Sequence, residues 1–200
     1  MENKLSILNA VRIKHKAIYL NQEEVFRSDE STDAFLSLAY KSLAINYPKF
    51  YKMDIMSKTG FIAAEILLKN NDIHQSDNFK LGMIFQNHAA SLEADRKYNE
   101  RLMEAASPAL FVYTLPNIVM GEIAIRHGFK GENTFFVSDE FNATSFFEYV
   151  EILFDQQILD NAIIAYVECN THEVDLLFCH VAKGNSNFLS IQSLNDLYNS

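Results

Sequence analysis

Four side chains able to hold a metal fall close together in the last third of the chain: Cys169, His172, Cys179 and His180. Zinc sites draw on such residues, but Cys-x2-His followed by an adjoining Cys-His is not a familiar zinc spacing. Neighbouring strand residues point to opposite faces, so Cys179 and His180 diverge if their segment is a strand. Core cysteines with turn histidines are the expectation here, and no metal. A second group, Ser138-Asp139-Glu140, has the residue types of a hydrolase. A serine nucleophile needs a positioned base, which His88 or His127 would have to supply. The competing reading is capping: Ser, Asp and Asn ahead of an apolar helix satisfy its free N–H groups, and acidic residues there complement its dipole. His88, in Gln86-Asn87-His88, could face a cleft from a loop after a strand or be an ordinary polar loop residue. Arg126 reads as an ion-pair partner rather than a substrate clamp.

The remaining composition narrows the class. With 200 residues, 48% hydrophobic and 22% charged, the chain is long enough for one core and too apolar for disorder. A net charge of −9 repels phosphate backbones, so no nucleic-acid partner is expected. Two cysteines are too few for a disulfide scaffold and fit a reducing cytoplasm. The opening MENKLSILNAVRIKHK lacks an apolar core of signal-peptide length, and no apolar run is long enough for a membrane span.

Periodicity supplies the elements that must carry these residues. Residues 5–20 are strand-like, and Arg12, Lys14 and Lys16 alternate as one charged strand face would. Polar residues 28–31 read as a helix entry, and 33–40 has helical spacing. Residues 52–69 form the clearest early helix, with Gly60, Ala63 and Ala64 small enough to admit a close neighbour and Asn70 and Asn71 ending it. Residues 79–86 read as a buried strand, and 91–106 as polar and helical or irregular. Residues 115–127 are predicted helical from Pro116 to a stop at Gly128. Residues 134–138 are strand-like. The aromatic-rich stretch 142–159 is a helix with a narrow polar stripe at Glu148, Glu151 and Asp155, so it belongs to a core or an interface. Residues 162–168 and 175–181 are two strands around a polar turn. Helices and strands alternate up to that hairpin, which predicts an α/β layered domain over residues 1–200.

Residues 107–138, SPALFVYTLPNIVMGEIAIRHGFKGENTFFVS, carry a resemblance. They resemble the segment before the nucleophile in β-ketoacyl-acyl-carrier-protein synthases. The shared landmarks are Ser107-Pro108, Pro116-Asn117, Ile125-Arg126-His127-Gly128 and Gly131-Glu132-Asn133, followed by a strand. Lys52-Met53-Asp54 with its Ala-rich helix, residues 80–93 and residues 162–168 agree more weakly. The likeness covers roughly residues 5–183 and only the first of the two pseudo-symmetric halves of that fold. It implies a thiolase-like half: a mixed β-sheet flanked by helices.

The resemblance also implies a missing group. Decarboxylative condensation needs a thiolate to hold the acyl chain, and a helix N-terminus suits it because the dipole lowers the thiol pKa. The family places that cysteine just after the strand matching 134–138. Here the run is Val137-Ser138-Asp139-Glu140-Phe141-Asn142, so Glu140 or Phe141 falls at the nucleophile position, depending on where a one-residue insertion is placed. Neither can hold a thioester. The family's two catalytic histidines belong to the half that this chain does not match. The resemblance therefore implies a non-catalytic ketosynthase-like protein. It would act as a homodimer, or a heterodimer with a ketosynthase-like subunit, or bind an acyl carrier protein, in fatty-acid, polyketide or polyene lipid synthesis. No cofactor is implied. In the family the strand before the nucleophile pairs across a two-fold axis, and a helix after it that lacked the second half would have one side wet. Two alternatives stand beside this: a repurposed acyl-thioester hydrolase or decarboxylase using Glu140, His88 or Ser138, and a purely structural dimer.

Overall fold

The computed structural model describes residues 4–69, 73, 76–102 and 106–200. The strand-like opening is two strands, β1 (Lys4–Lys14) and β2 (Ala17–Leu20), joined through His15 and Lys16 at φ 48° and 57°. A two-residue left-handed turn matches the strands' own twist, although it is usually made by Asn or Gly. Asn21 and Gln22 repeat the device at φ 51° and 70° and lead into β3 (Glu23–Arg27), which periodicity did not indicate. The chain continues through α1 (Thr32–Ser42), α2 (Ile55–Leu68), β4 (Leu81–Asn87), α3 (Leu92–Leu102), α4 (Pro108–Val112), α5 (Ile118–His127), β5 (Asn133–Val137), α6 (Ala143–Asp155), β6 (Asn161–Cys169), β7 (Val174–Gly184) and α7 (Ile191–Asn199).

The strands form one mixed sheet in the order β3-β2-β1-β7-β6-β4-β5. β4 runs parallel to both β5 and β6; the other pairs are antiparallel. Alternate residues serve two cores. Met83, Phe85, Ile163, Ala165, Leu176 and Phe178 face a cluster with α1, α2 and α5. Ile84, Ala162, Ile164, Tyr166, Leu177 and Cys179 face a second cluster with α6 and α7. Strands buried on both faces read as continuous apolar runs, and β4 is buried from end to end. On β1, Ile7 and Ala10 reach the same core despite their odd spacing, because a bulge between Ile7 and Asn9 inserts a residue.

The small residues of α2 act as expected. A Cβ on Gly60 would meet Val119 Cγ2 of α5 at 2.4 Å, so this crossing tolerates only glycine without rearrangement. Asp54 caps α2, accepting from the Ser57 amide, so that helix begins three residues later than position 52. Its expected end at Asn70 and Asn71 lies outside the described residues. Gly128, at φ 76°, ends α5 as expected; Pro116 does not begin it, standing in a turn before Ile118. Phe79 is exposed in a short 3-10 turn, and β4 starts only at Leu81. The helix α6 stops at Asp155 rather than 159. Arg12 corrects the charged-face expectation: it is largely buried and ion-paired with Asp175, while Lys16 lies in the turn.

His180 is buried, with ring Nε2 2.8 Å from Asn161 Oδ1. Burial pushes its pKa down from 6.5 to about 4. As the pH falls below 6.5, the unfolded chain binds a proton that the folded chain refuses, so stability is lost between pH 6.5 and about 4. The slope approaches ~1.4 kcal/mol per pH unit for one proton. Urea unfolding across that window is expected to show a flatter pH dependence for His180→Gln than for the parent chain.

Candidate functional site

The carboxyl ends of parallel strands are where α/β sheets place ligands. Here β5, β4 and β6 end side by side, and the segment from Ser138 to Asn142 leads from β5 into α6. The Ser138 amide donates to the Asn87 carbonyl at 2.9 Å, extending the β4–β5 ladder by one step. Gln86, buried near the end of β4, clamps the turn: its Oε1 accepts from the Asn142 amide at 2.8 Å and its Nε2 donates to Ser145 Oγ at 3.1 Å. Asn142 caps α6, accepting from the Ser145 amide at 3.0 Å. The capping expectation therefore holds for Asn142 but not for Ser138, whose Oγ donates to the Glu140 carbonyl at 2.7 Å.

Glu140 is exposed, whereas Phe141 turns inward. The Phe141 ring stacks on Tyr198 of α7 with centroids 4.2 Å apart and planes 15° from parallel. It meets Tyr166 edge-on at 5.7 Å and Phe146 at 5.9 Å. Arg12 locks the stack from the sheet side. Its guanidinium pairs with Asp175, donates from Nε to the Tyr198 carbonyl at 3.0 Å and lies 4.8 Å over the Tyr198 ring. The Tyr198 hydroxyl donates to the other Asp175 oxygen at 2.6 Å. Burial, and then this bond, raises the Tyr198 pKa, and burial pushes Tyr166 up to about 12, so both phenols stay protonated. Helix α7, which the sequence reading did not anticipate, thus covers the position after β5 and part of α6. The α6 residues Glu148, Glu151, Ile152 and Asp155 remain exposed.

The other candidates lie apart from this stack. His88 is exposed; its amide and that of Ala89 donate to Glu168 Oε2 at 2.8 and 3.0 Å. Among the described residues, no hydrogen bond joins Ser138 to a histidine. His127 stands across the sheet, stacked on Phe129 at 5.5 Å and 3.4 Å from Glu65, and Arg126 pairs with that same carboxylate at 2.7 Å. No group of three His, Cys, Asp or Glu side chains among the described residues could hold a metal. His172 lies in the β6–β7 turn; Cys179 and His180 occupy opposite faces of β7. Both cysteines are free thiols. Burial pushes Cys179 up to about 12, and burial followed by Asp54 raises Cys169 well above the ordinary thiol value. Neither is at the turn after β5, and neither offers a thiolate near neutral pH. Sequence reasoning missed Gln86, Arg12, Asp175 and Tyr198. The one available signal was a buried-strand pattern interrupted by a polar Gln.

No family model and no curated protein sequence matches the chain. Solved structures do. The ishigamide ketosynthase/chain length factor aligns with a TM-score of 0.66 at 13% identity, over 90% of this chain and 62% of that one. A chain from the ketosynthase ApeO in complex with its chain length factor ApeC, from Xenorhabdus doucetiae, gives 0.61 at 11% identity, over 98% of this chain and 90% of that one. A β-ketoacyl synthase from Burkholderia phymatum gives 0.56 at 9% identity, over 91% of this chain and 59% of that one. The fold is therefore the layered, thiolase-like α/β fold of ketosynthases and chain length factors. The chain spans less than two thirds of the first and third of those chains, and nearly all of the second.

Two outcomes follow from this geometry. Phe141→Ala is expected to cost about 2 kcal/mol in denaturant unfolding, below a fully buried Phe because the residue is only partly buried, and to weaken the near-ultraviolet tyrosine signal. Native protein at pH 8 is expected to alkylate slowly at both cysteines, with full labelling on unfolding, as read by intact mass.

Proposed function

We propose that this protein is a non-catalytic ketosynthase-like subunit, comparable in role to a chain length factor, that pairs with a cysteine-bearing condensing enzyme. The observation that carries the reading is Phe141. At the turn where such a fold would present an acyl-carrying sulfur, a phenyl ring is stacked into the protein's own helix. A condensing enzyme needs a covalent acyl carrier there, and neither Phe141 nor the exposed Glu140 can form a thioester. The structures it resembles include a ketosynthase with its chain length factor, one chain of which has almost this length.

The sheet's two edges favour pairing through β5. At the far edge β3 carries Glu23, Glu24 and Arg27, charges that discourage another strand from docking. β5 is an edge strand without a charge, Asn-Thr-Phe-Phe-Val, and its Val137 is 57% exposed. An uncharged apolar edge is an aggregation hazard unless something pairs with it. The partner is a ketosynthase subunit or a second copy, and the pair would serve assembly of a carrier-protein-linked fatty-acid, polyketide or polyene chain in the cytoplasm. Residues 1–200 act as one unit in this role.

Sedimentation velocity of the chain, alone and mixed with a cysteine-bearing ketosynthase from the same cell, tests this. A dimer is expected in at least one case. Val137→Lys, with its circular dichroism unchanged, is expected to weaken association about tenfold or more, ~1.4 kcal/mol. A chain that stays monomeric at micromolar concentration in both mixtures, or that gains an acyl group from a thioester donor, refutes the proposal.

A further inference from the structure

At the same end of β1 and β7, but on the sheet face that α1 covers, two hairpin turns and the start of α1 enclose a hollow of about 250 Å3. His15 and Lys16 come from the β1–β2 turn, His172 and Glu173 from the β6–β7 turn, and Thr32 and Phe35 from the first turns of α1. We propose that this hollow binds a phosphoryl group.

Three observations converge. First, α1 begins without a side-chain cap: Ser31 makes no capping bond, and the first helical bond runs from the Phe35 amide to the Ser31 carbonyl at 2.7 Å. The amides of Thr32, Asp33 and Ala34 have no acceptor among the described residues, so they and the helix dipole present positive potential to the hollow. Second, Thr32 is only 4% exposed, yet its hydroxyl has no hydrogen-bond partner among the described residues. The Ser6 and Ser57 hydroxyls are sealed in the interior, whereas Thr32 lines the hollow, where an acceptor would satisfy it. Third, the lining supplies side-chain N–H donors from two turns. Lys16 Nζ donates to the Asp29 carbonyl at 2.9 Å and keeps further N–H donors, and the two imidazoles add two ring donors.

Two carboxylates oppose an anion. Asp33, in the first turn, is paired with Lys58 Nζ at 2.6 Å, which turns its charge away from the helix start. Glu173 stays on the rim and sets an upper limit on affinity. Donors arriving from three separate segments suit a tetrahedral group with several oxygens better than a planar carboxylate. The site lies across the sheet from Phe141, lined by α1 rather than α7, and does not depend on the role proposed for Phe141.

Titration of the full-length, 15N-labelled chain with inorganic phosphate, and separately with glycerol phosphate, tests the site at constant ionic strength. Saturable shifts are expected at the amides of Thr32, Asp33 and Ala34 and at the His15 and His172 rings. Tighter binding of the ester assigns the site to an esterified phosphoryl group, and equal binding to free phosphate. Thr32→Val and His172→Ala are each expected to raise Kd several-fold, and Lys16→Ala about tenfold. His172 is exposed in a turn, so its variant tests the site even where Thr32→Val fails to fold. Linear, unsaturated shifts with both ligands, or unchanged affinity in the His172 and Lys16 variants, overturn the proposal.

Discussion

The Arg12–Asp175–Tyr198 network governs the shape of this molecule at the end where its parallel strands stop. Arg12 lies on β1, Asp175 on β7 and Tyr198 on α7, so one ion pair and one phenol bond tie the first strand, the last strand and the last helix together. Removing a single member would leave a largely buried charge or hydroxyl without its partner, which is far costlier than never burying the group. Because α7 is held there, Tyr198 meets Phe141, and the turn after β5 is closed by aromatic packing. On the other side Gln86 satisfies both the Asn142 amide and the Ser145 hydroxyl, so the turn has one backbone path into α6.

That closure separates this protein's chemistry from its fold. A thiolase-like half offers a helix N-terminus beyond a parallel strand, a place able to activate a nucleophile. In this chain the same place is capped by Asn142, filled by Phe141 and flanked by phenols that remain protonated. Fold likeness alone would suggest a condensing enzyme, but function resides in the groups that the fold presents. The thiols sit elsewhere, on β6 and β7, where burial keeps them protonated. The sheet's two edges also differ: β3 carries charges, and β5 carries none.

Much of this was legible in residue order. Strands β4, β6 and β7, buried on both faces, appear as apolar runs, and α2, α5 and α6 as helical spacings with a Gly60 contact and a Gly128 stop. That residues 137–142 contain no cysteine is plain from the sequence. Less visible were elements whose patterns are weak. β3 sets Val25 and Phe26 side by side between charges at an exposed edge, and α7 is polar apart from Ile191, Leu194, Leu197 and Tyr198. Residues 5–20 read as one strand because no Gly or Asn marks the turn, which His15 and Lys16 make in a left-handed conformation that their types disfavour.

Local order determined which segments are helices and strands, because periodicity and capping act over a few residues. It also determined that the turn from β5 into α6 contains no sulfur. Whether Glu140 or Phe141 fills the space there, and that Arg12 is a buried latch rather than one of three surface charges, were decided by contacts between β1, β7 and α7. Arg12 and Asp175 are 163 positions apart in the chain, and only the folded sheet brings them within reach.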